Sequence, residues 1–332
     1  MAISVVCTVK NEEGSIARLI ESLAAQSRRP DEIVVVDGGS ADRTVEILRR
    51  FQASGYPLRV IVCPGTNISQ GRNAAISAAR GPLIACTDAG VRLHPDWLAE
   101  LERGLVGGDG VLKADVASGF FVPDVETPFE CAMGATVLPA LSDVKPDRFL
   151  PSSRSVAYTK QAWEAVGGYP EWLDFCEDLV FDLALRRAGM RFTFVPSARV
   201  SFKPRGSLRS FFRQYYQYAR GDGKAGLYAA RHAVRYGSYG VGVLAMLLGF
   251  CYKVSWLVLA LAVAAHIWRP LRRLDSLSRR LSGPQRAEAA AWIPVIRLTG
   301  DVAKMVGYPV GLWWRYRSGR SRVWVSDRHS QL

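Results

Sequence analysis

At 332 residues with 49% hydrophobic content, the chain can hold one large domain or two smaller ones around a sizeable core, which argues against a disordered protein. Its net charge of +13 would suit a nucleic-acid binder, but residues 1–200 carry 21 Lys and Arg against 25 Asp and Glu, whereas residues 201–332 carry 22 against 5. The basicity therefore belongs to the C-terminal part, which also holds the most apolar stretch, so the expected partner is an anionic membrane surface and not nucleic acid.

Residues 2–9 read as a first strand, broken by Lys10-Asn-Glu-Glu-Gly before a helix with Ile16, Leu19, Ile20 and Leu23 on one face. No charged leader precedes that strand, so no secretory signal is expected. Residues 33–36 are an unbroken β-branched run, the mark of a parallel strand buried on both faces, and the run stops at Asp37 and two glycines. In an open α/β sheet, ligands sit outside the carboxyl ends of the strands, so Asp37 stands where a nucleotide would be met; capping its own turn is the other use for it. Asp42 reads as the cap of the next helix, through Val45, Ile47, Leu48 and Phe51.

A third strand over 58–63, a small-residue helix over 69–79 carrying Arg72 and Asn73, and a fourth strand over 83–87 ending at Asp88 continue the rhythm. Such alternation predicts the α/β class, with right-handed crossovers and a mostly parallel central sheet. Beyond it come a helix from Pro95, a strand over 114–122, a helix over 127–141 and a polar segment over 152–158. A short helix then ends at Gly167 and Gly168, and another follows Phe175-Cys-Glu-Asp, with Leu179, Asp182 and Arg186 at helical spacing. Two strands, 191–195 and 198–202, complete the globular part. The six cysteines, Cys7, Cys63, Cys86, Cys131, Cys176 and Cys251, form no CxxC pair and read as reduced packing residues.

Five segments in order, Lys10-Asn-Glu-Glu, Val36-Asp-Gly-Gly-Ser-Ala-Asp, Gly71-Arg-Asn-Ala-Ala, Thr87-Asp-Ala-Gly and Cys176-Glu-Asp, resemble the inverting glycosyltransferases of family 2 with the A-type fold. The resemblance spans roughly residues 1 to 225 and implies donor binding by Glu12, Asp37, Arg72, Asn73 and Asp88. Asp37 would accept hydrogen bonds from the base or ribose of a nucleotide-sugar, bonds that charge assistance strengthens. Asp88 matches the first acid of a DxD motif, which implies Mg²⁺ or Mn²⁺ held there against the diphosphate, but Gly90 replaces the second acid.

Glu177 and Asp178 match the family's catalytic acids. A sugar hydroxyl is a poor nucleophile, so a carboxylate must take its proton as it attacks the anomeric carbon, and Asp178 is the implied base. A plain helix start is the alternative for this pair. Polymerising members carry QxxRW; here Gln214-Tyr-Tyr-Gln-Tyr, followed by Arg220, departs from it and points to transfer of a single sugar. The implied acceptor contacts are Ser153, Arg154, Gln214 and Tyr218, with Arg220 assigned to the donor diphosphate.

Residues 239–268 hold one charge, Lys253, and 13 Val, Leu, Ile or Phe residues. Those contribute about −0.4 kcal/mol each to insertion, roughly −5 kcal/mol in all, against about +3 kcal/mol for a central lysine. The segment is expected to enter a bilayer. Basic residues flank both ends, from Arg205 to Arg235 and from Arg269 to Arg286, which fits a re-entrant hairpin with Lys253 near its tip as well as it fits a single span. A second, interfacial segment is expected over 292–316 and a solvated tail from Ser318 to Leu332.

The expected organisation is a nucleotide-sugar-binding catalytic domain over 1–225 and a membrane-associated region over 226–332. The expected function is that of a membrane-associated enzyme facing the cytoplasm, moving one sugar from a nucleotide-sugar to a lipid-linked acceptor of polysaccharide synthesis. A non-catalytic nucleotide-sugar-binding protein of the same fold is the rival reading.

Overall fold

The computed structural model describes residues 1–320, and the expected tail falls largely outside them. The backbone forms two compact units, residues 1–122 with 141–203, and residues 123–140 with 204 onward.

The first unit opens with β1 (Ile3–Val9), α1 (Ile16–Ala24), β2 (Glu32–Asp37), α2 (Thr44–Ala53), β3 (Leu58–Val62), α3 (Ile68–Ala78) and β4 (Leu83–Cys86). Then come β5 (Val91–Leu93), α4 (Trp97–Leu105) and β6 (Val116–Pro123); α5 (Pro128–Val137) belongs to the second unit. The first unit closes with β7 (Val156–Thr159), α6 (Lys160–Ala165), α7 (Glu177–Arg187) and β8 (Phe192–Phe202). The eight strands make one sheet in the order β3-β2-β1-β4-β7-β6-β8-β5. The first four pair in parallel, as the strand-helix rhythm requires, and β7 then pairs antiparallel with both β4 and β6.

Period-two alternation splits the strand residues between two cores. Ile33 and Val35 of β2 join Leu48 of α2 and Leu19 of α1 on one face, and Val34 and Val36 join Ala75 and Ile76 of α3 on the other. Every one of these side chains is buried, and each Val, Leu or Ile among them is worth about 1.5–3 kcal/mol relative to exposure. The register sets Asp37 opposite Val9, so β1 and β2 end together at the edge where the site lies.

Several expectations change here. The polar segment over 152–158 runs into the buried strand β7, which begins at Val156, is four residues long and is too short to show alternation. The two strands over 191–202 are one strand, β8, which runs through Pro196 before its pairing with β5 begins at Val200. The helix over 127–141 stops at Val137, because Leu138 precedes Pro139 and is extended, as a residue before proline prefers.

The second unit is helical: α5, α8 (Leu208–Ala225), α9 (Ala229–Leu248), α10 (Val254–Leu277) and α11 (Gly283–Ser318). The apolar stretch over 239–268 is broken at residues 249–253, where the Trp256 indole seats directly on Gly249; a Cβ there would lie 2.5 Å from Trp256 Nε1. Cys251 in that turn is exposed, so it is not a packing residue, and all six cysteines are free thiols. The interfacial segment over 292–316 is part of one 36-residue helix, α11, that continues through Pro294 and Pro309.

Besides an apolar cluster around Met133, Phe211, Leu274, Ile293 and Ile296, two specific interactions hold the helices. Asp301 of α11 is buried and pairs with Arg235 Nε at 3.0 Å and Tyr239 Oη at 3.2 Å from α9, and with His266 Nε2 at 3.1 Å from α10. The second is a glycine seam between α11 and α8. A Cβ on Gly307 would lie 2.3 Å from the Tyr216 carbonyl oxygen, and one on Gly311 would lie 2.1 Å from that of Arg220. Only hydrogen fits in such a backbone contact. The variant G311A therefore forces α8 and α11 apart and should cost about 2 kcal/mol or more in chemical denaturation of the full chain; an unchanged midpoint would show that the seam is loose.

Candidate active site

At the carboxyl edge of the sheet, the loops after β1 and β2 brace each other. Asp37 is buried, and its Oδ1 accepts from Gly39 N and Ser40 N at 2.9 Å each, while its Oδ2 accepts from Ser40 Oγ. Gly39 takes φ +89° with Pro64 pressed against it, a conformation and a space that exclude a side chain. Asn11, also left-handed at φ +57°, accepts from Ala41 N at 2.8 Å, and its own N donates to Ser40 Oγ at 2.8 Å. Asp42 accepts from Thr44 N at 3.0 Å and Glu13 N at 3.2 Å, which is the helix-start role its position predicts. Glu12 donates its N–H to Thr44 Oγ1 at 2.8 Å and accepts from Ser15 Oγ through its carboxylate.

Arg72 is the centre of the arrangement. It rises from the middle of α3 into the interior, with only 3% of its surface exposed. Nη1 donates to Glu177 Oε1 at 2.6 Å, Nη2 donates to Asp88 Oδ1 at 3.1 Å, and the guanidinium lies 5.3 Å from the Tyr169 ring centroid. Three residues distant in sequence are thus joined by one cation. The buried Cys7 thiol, pushed up by burial, also feels Asp88, Arg72 and Glu12, which places those groups around the end of β1.

Glu177 and Asp178 open α7. Cys176 before them sits in the left-handed region at φ +64°, an uncommon state for a residue with a side chain, and this turn aims the pair. Burial and the adjacent Asp178 push Glu177 up to about 7, against the pull of Arg72. Asp178 is half-buried and its Oδ1 accepts from Leu179 N at 2.8 Å. One turn on, Asp182 is buried with Oδ2 lacking a hydrogen-bond partner, and burial, reinforced by Asp178, holds its carboxyl well above the usual range.

Of the residues expected at the site, Arg72, Asp88 and Glu177 meet directly, and Asp178 adjoins them. Asp37 lies at the same sheet edge, two strand spacings from β4 or about 10 Å away, with its carboxylate engaged in its own turn. Asn73 is spent on structure: Nδ2 donates to Tyr169 O and Glu171 Oε1 at 2.9 Å each, and Oδ1 accepts from Tyr169 N at 2.8 Å and Trp163 Nε1 at 3.1 Å. Ser153 Oγ meets Tyr169 Oη at 3.1 Å, and Arg154 Nε lies 3.7 Å from Asp88 Oδ2. Gln214, Tyr218 and Arg220 belong to α8 of the helical unit, where Gln214 Nε2 donates to Tyr218 Oη at 2.8 Å. Sequence reasoning missed Tyr169, whose ring lies beneath Arg72, and the left-handed Cys176; a lone tyrosine beyond Gly-Gly carries no signal of such a place.

The sequence pattern described as Glycosyl transferase family 2 matches residues 4–115. The succinoglycan biosynthesis protein ExoA of Rhizobium meliloti is 30% identical over 226 residues, covering 64% of this chain and 67% of that protein. The chain belongs to glycosyltransferase family 2. As a member, it is a nucleotide-sugar-dependent glycosyltransferase. The undecaprenyl-phosphate 4-deoxy-4-formamido-L-arabinose transferase of Pectobacterium carotovorum is 36% identical over 129 residues, which span 39% of that protein. The mannosyltransferase PcManGT from Pyrobaculum calidifontis, solved with GDP-Man and Mn²⁺, shares the fold at a TM-score of 0.55 and 18% identity, over 91% of this chain and 86% of that one.

A divalent cation finds a poor donor set in this family 2 glycosyltransferase. Mg²⁺ and Mn²⁺ at a nucleotide site take one or two protein carboxylates together with phosphate oxygens and water, and among the described residues no three of His, Cys, Asp and Glu gather to add to that set. Asp88 offers a single carboxylate, and each of its oxygens already faces a guanidinium. These residues do not fit the cation that Asp88 was expected to hold.

The raised Asp182 gives a pH signature. Folding favours its protonated form, so its contribution is fully present below its ordinary value of 3.8 and is lost as pH rises. Relative to the parent chain, D182N should gain stability in urea unfolding as pH goes from about 5 to about 8; an equal difference at both values would mean that Asp182 is not held neutral.

Proposed function

We propose that this family 2 glycosyltransferase moves one sugar, with inversion, from a nucleotide-sugar to a lipid-linked saccharide acceptor at a membrane surface. The observation that carries the reading is Asp178 at the half-buried first turn of α7, beside Glu177 and, through Arg72, Asp88. An acceptor hydroxyl oxygen forms the new bond to the anomeric carbon while Asp178 takes its proton. The bond from that carbon to the diphosphate breaks on the opposite face, and its electron pair leaves with the diphosphate. One displacement inverts the centre and needs no second carboxylate as nucleophile. Glu12 and Asp37 line the sheet edge on which the nucleoside rests, with Asp37 held rigid by its turn.

Single transfer is supported by the altered Gln214-Tyr-Tyr-Gln-Tyr segment. A lipid-linked acceptor is supported by the named activity of the undecaprenyl-phosphate relative and by the apolar surface of α9 and α10. Among the described residues, α10 is the one helix long and apolar enough to cross a bilayer, and only 6% of its apolar window is buried. Catalysis is assigned to the sheet-bearing part and membrane attachment to α9–α11, which would confine the enzyme beside a substrate held in the bilayer. The excess of Arg and Lys flanking the hairpin favours the cytoplasmic side for the catalytic part.

The variant D178N should lose roughly 10²–10⁴-fold in kcat and still bind nucleoside diphosphate. Turnover at the parent rate would remove Asp178 as base, and failure of the parent chain to release nucleoside diphosphate would favour the non-catalytic reading.

The break at 249–253 supports a hairpin that enters and returns on one side. Residues 236–248 and 254–268 contain no Asp, Glu, Lys or Arg and make roughly 20 and 22 Å of helix, each shorter than the about 30 Å hydrocarbon core. In sealed proteoliposomes, a single-cysteine chain keeping Cys251 should resist impermeant maleimide from both faces; labelling from the far side would mean a full crossing.

A further inference from the structure

The carboxylate of Asp88 sits between two guanidiniums that differ in setting. Arg72 is buried and shared with Glu177. Arg154 keeps 24% of its side chain exposed, and its guanidinium lies 4.6 Å over the Phe202 ring while Nη1 donates to Ser152 Oγ at 3.1 Å. Its backbone is fixed as well, because the Arg154 carbonyl accepts from Thr87 Oγ1 at 3.1 Å, beside Asp88 in the chain. The result is a permanently charged, planar group, positioned in advance and still reachable from solvent.

We propose that Arg154, backed by Arg72, neutralises the departing diphosphate in place of a divalent cation, so that transfer proceeds without metal. The inference rests on the donor-binding reading above and adds to it that the diphosphate lies beside Asp88, within reach of Arg154. Opposite charges favour it and like charges disfavour the alternative. A dication at Asp88 would have to displace both guanidiniums from that carboxylate before the carboxylate and the diphosphate oxygens could share it, whereas a diphosphate meeting the exposed edge of Arg154 leaves Asp88 paired and brings negative charge to a cation. A guanidinium also matches phosphate oxygens in a bidentate fashion and stabilises charge where it develops, as the carbon–oxygen bond gives up its electron pair to the diphosphate. Gly90 fits this account. It is exposed, and a Cβ there would meet nothing within 4 Å, so room for a second acid exists at the rim and the chain leaves it unfilled.

The test uses the full chain in detergent, with a panel of nucleoside diphosphates as probes and binding followed by thermal shift and calorimetry. At least one diphosphate should bind in EDTA with an affinity within about twofold of that in Mn²⁺, and R154A should weaken it by about tenfold or more, the size expected for a lost charge-assisted hydrogen bond. R154K should recover part of that loss, and the parent nucleoside, which lacks phosphate, should bind the variants and the unaltered chain alike. The variant G90D supplies the missing acid, and its diphosphate affinity should become responsive to Mn²⁺. Binding that appears only with Mn²⁺ would overturn metal independence and leave the donor site standing, whereas an unchanged affinity in R154A would remove Arg154 from the diphosphate. If no nucleoside diphosphate binds under either condition, the donor site and this inference fall together.

Discussion

The buried guanidinium of Arg72 is the constraint on which the first unit's functional edge depends. A charge this deep is tolerable only when paired, and it is paired twice, to Glu177 on α7 and to Asp88 beyond β4. Removing it would leave the buried Glu177 without its cation, while Asp88 would keep Arg154. The three consecutive residues of α3 divide the labour. Gly71 lets the helix approach β1, where a Cβ would lie 2.7 Å from Thr8 Cγ2; Arg72 joins the acids; and Asn73 fastens the loop that brings Tyr169 beneath the cation. A short motif thus reads as three separate physical demands on successive positions of one helix.

The sheet edge shows how two neighbouring loops are kept in register. Asp37 and Asp42 satisfy backbone N–H groups that the turns would otherwise leave unpaired, and Asn11 crosses from one loop to the other. An acid at a strand end can therefore be structural and still face a ligand, since a carboxylate has lone pairs beyond those its own turn engages. Asp182 is the opposite case, a buried carboxyl with an oxygen left without a partner, and the interior responds by keeping its proton.

The helical unit follows a different logic. Its inner contacts combine an apolar cluster around Met133, Phe211, Leu274, Ile293 and Ile296 with a polar hub at Asp301 and a seam of glycines, while many large apolar residues of α9 and α10 point outward. The outward apolar faces of α9 and α10 are the part of this unit that the proposed membrane attachment would cover.

The sequence by itself determined the alternating half of the sheet, the glycosyltransferase resemblance and the identity of the acids, because β-branched runs, glycine turns and local motifs are short-range signals. It also located the apolar stretch and its basic flanks. What tertiary structure decided was which side chains meet: that Arg72 spans two acids, that Asn73 serves a loop, that Arg154 turns to Asp88, and that a left-handed Cys176 aims α7. It decided as well that β7 is a strand and that α11 runs through two prolines. Those outcomes depend on contacts between residues up to about a hundred positions apart in the chain, where burial and pairing override local preference and no spacing in the sequence records the partner.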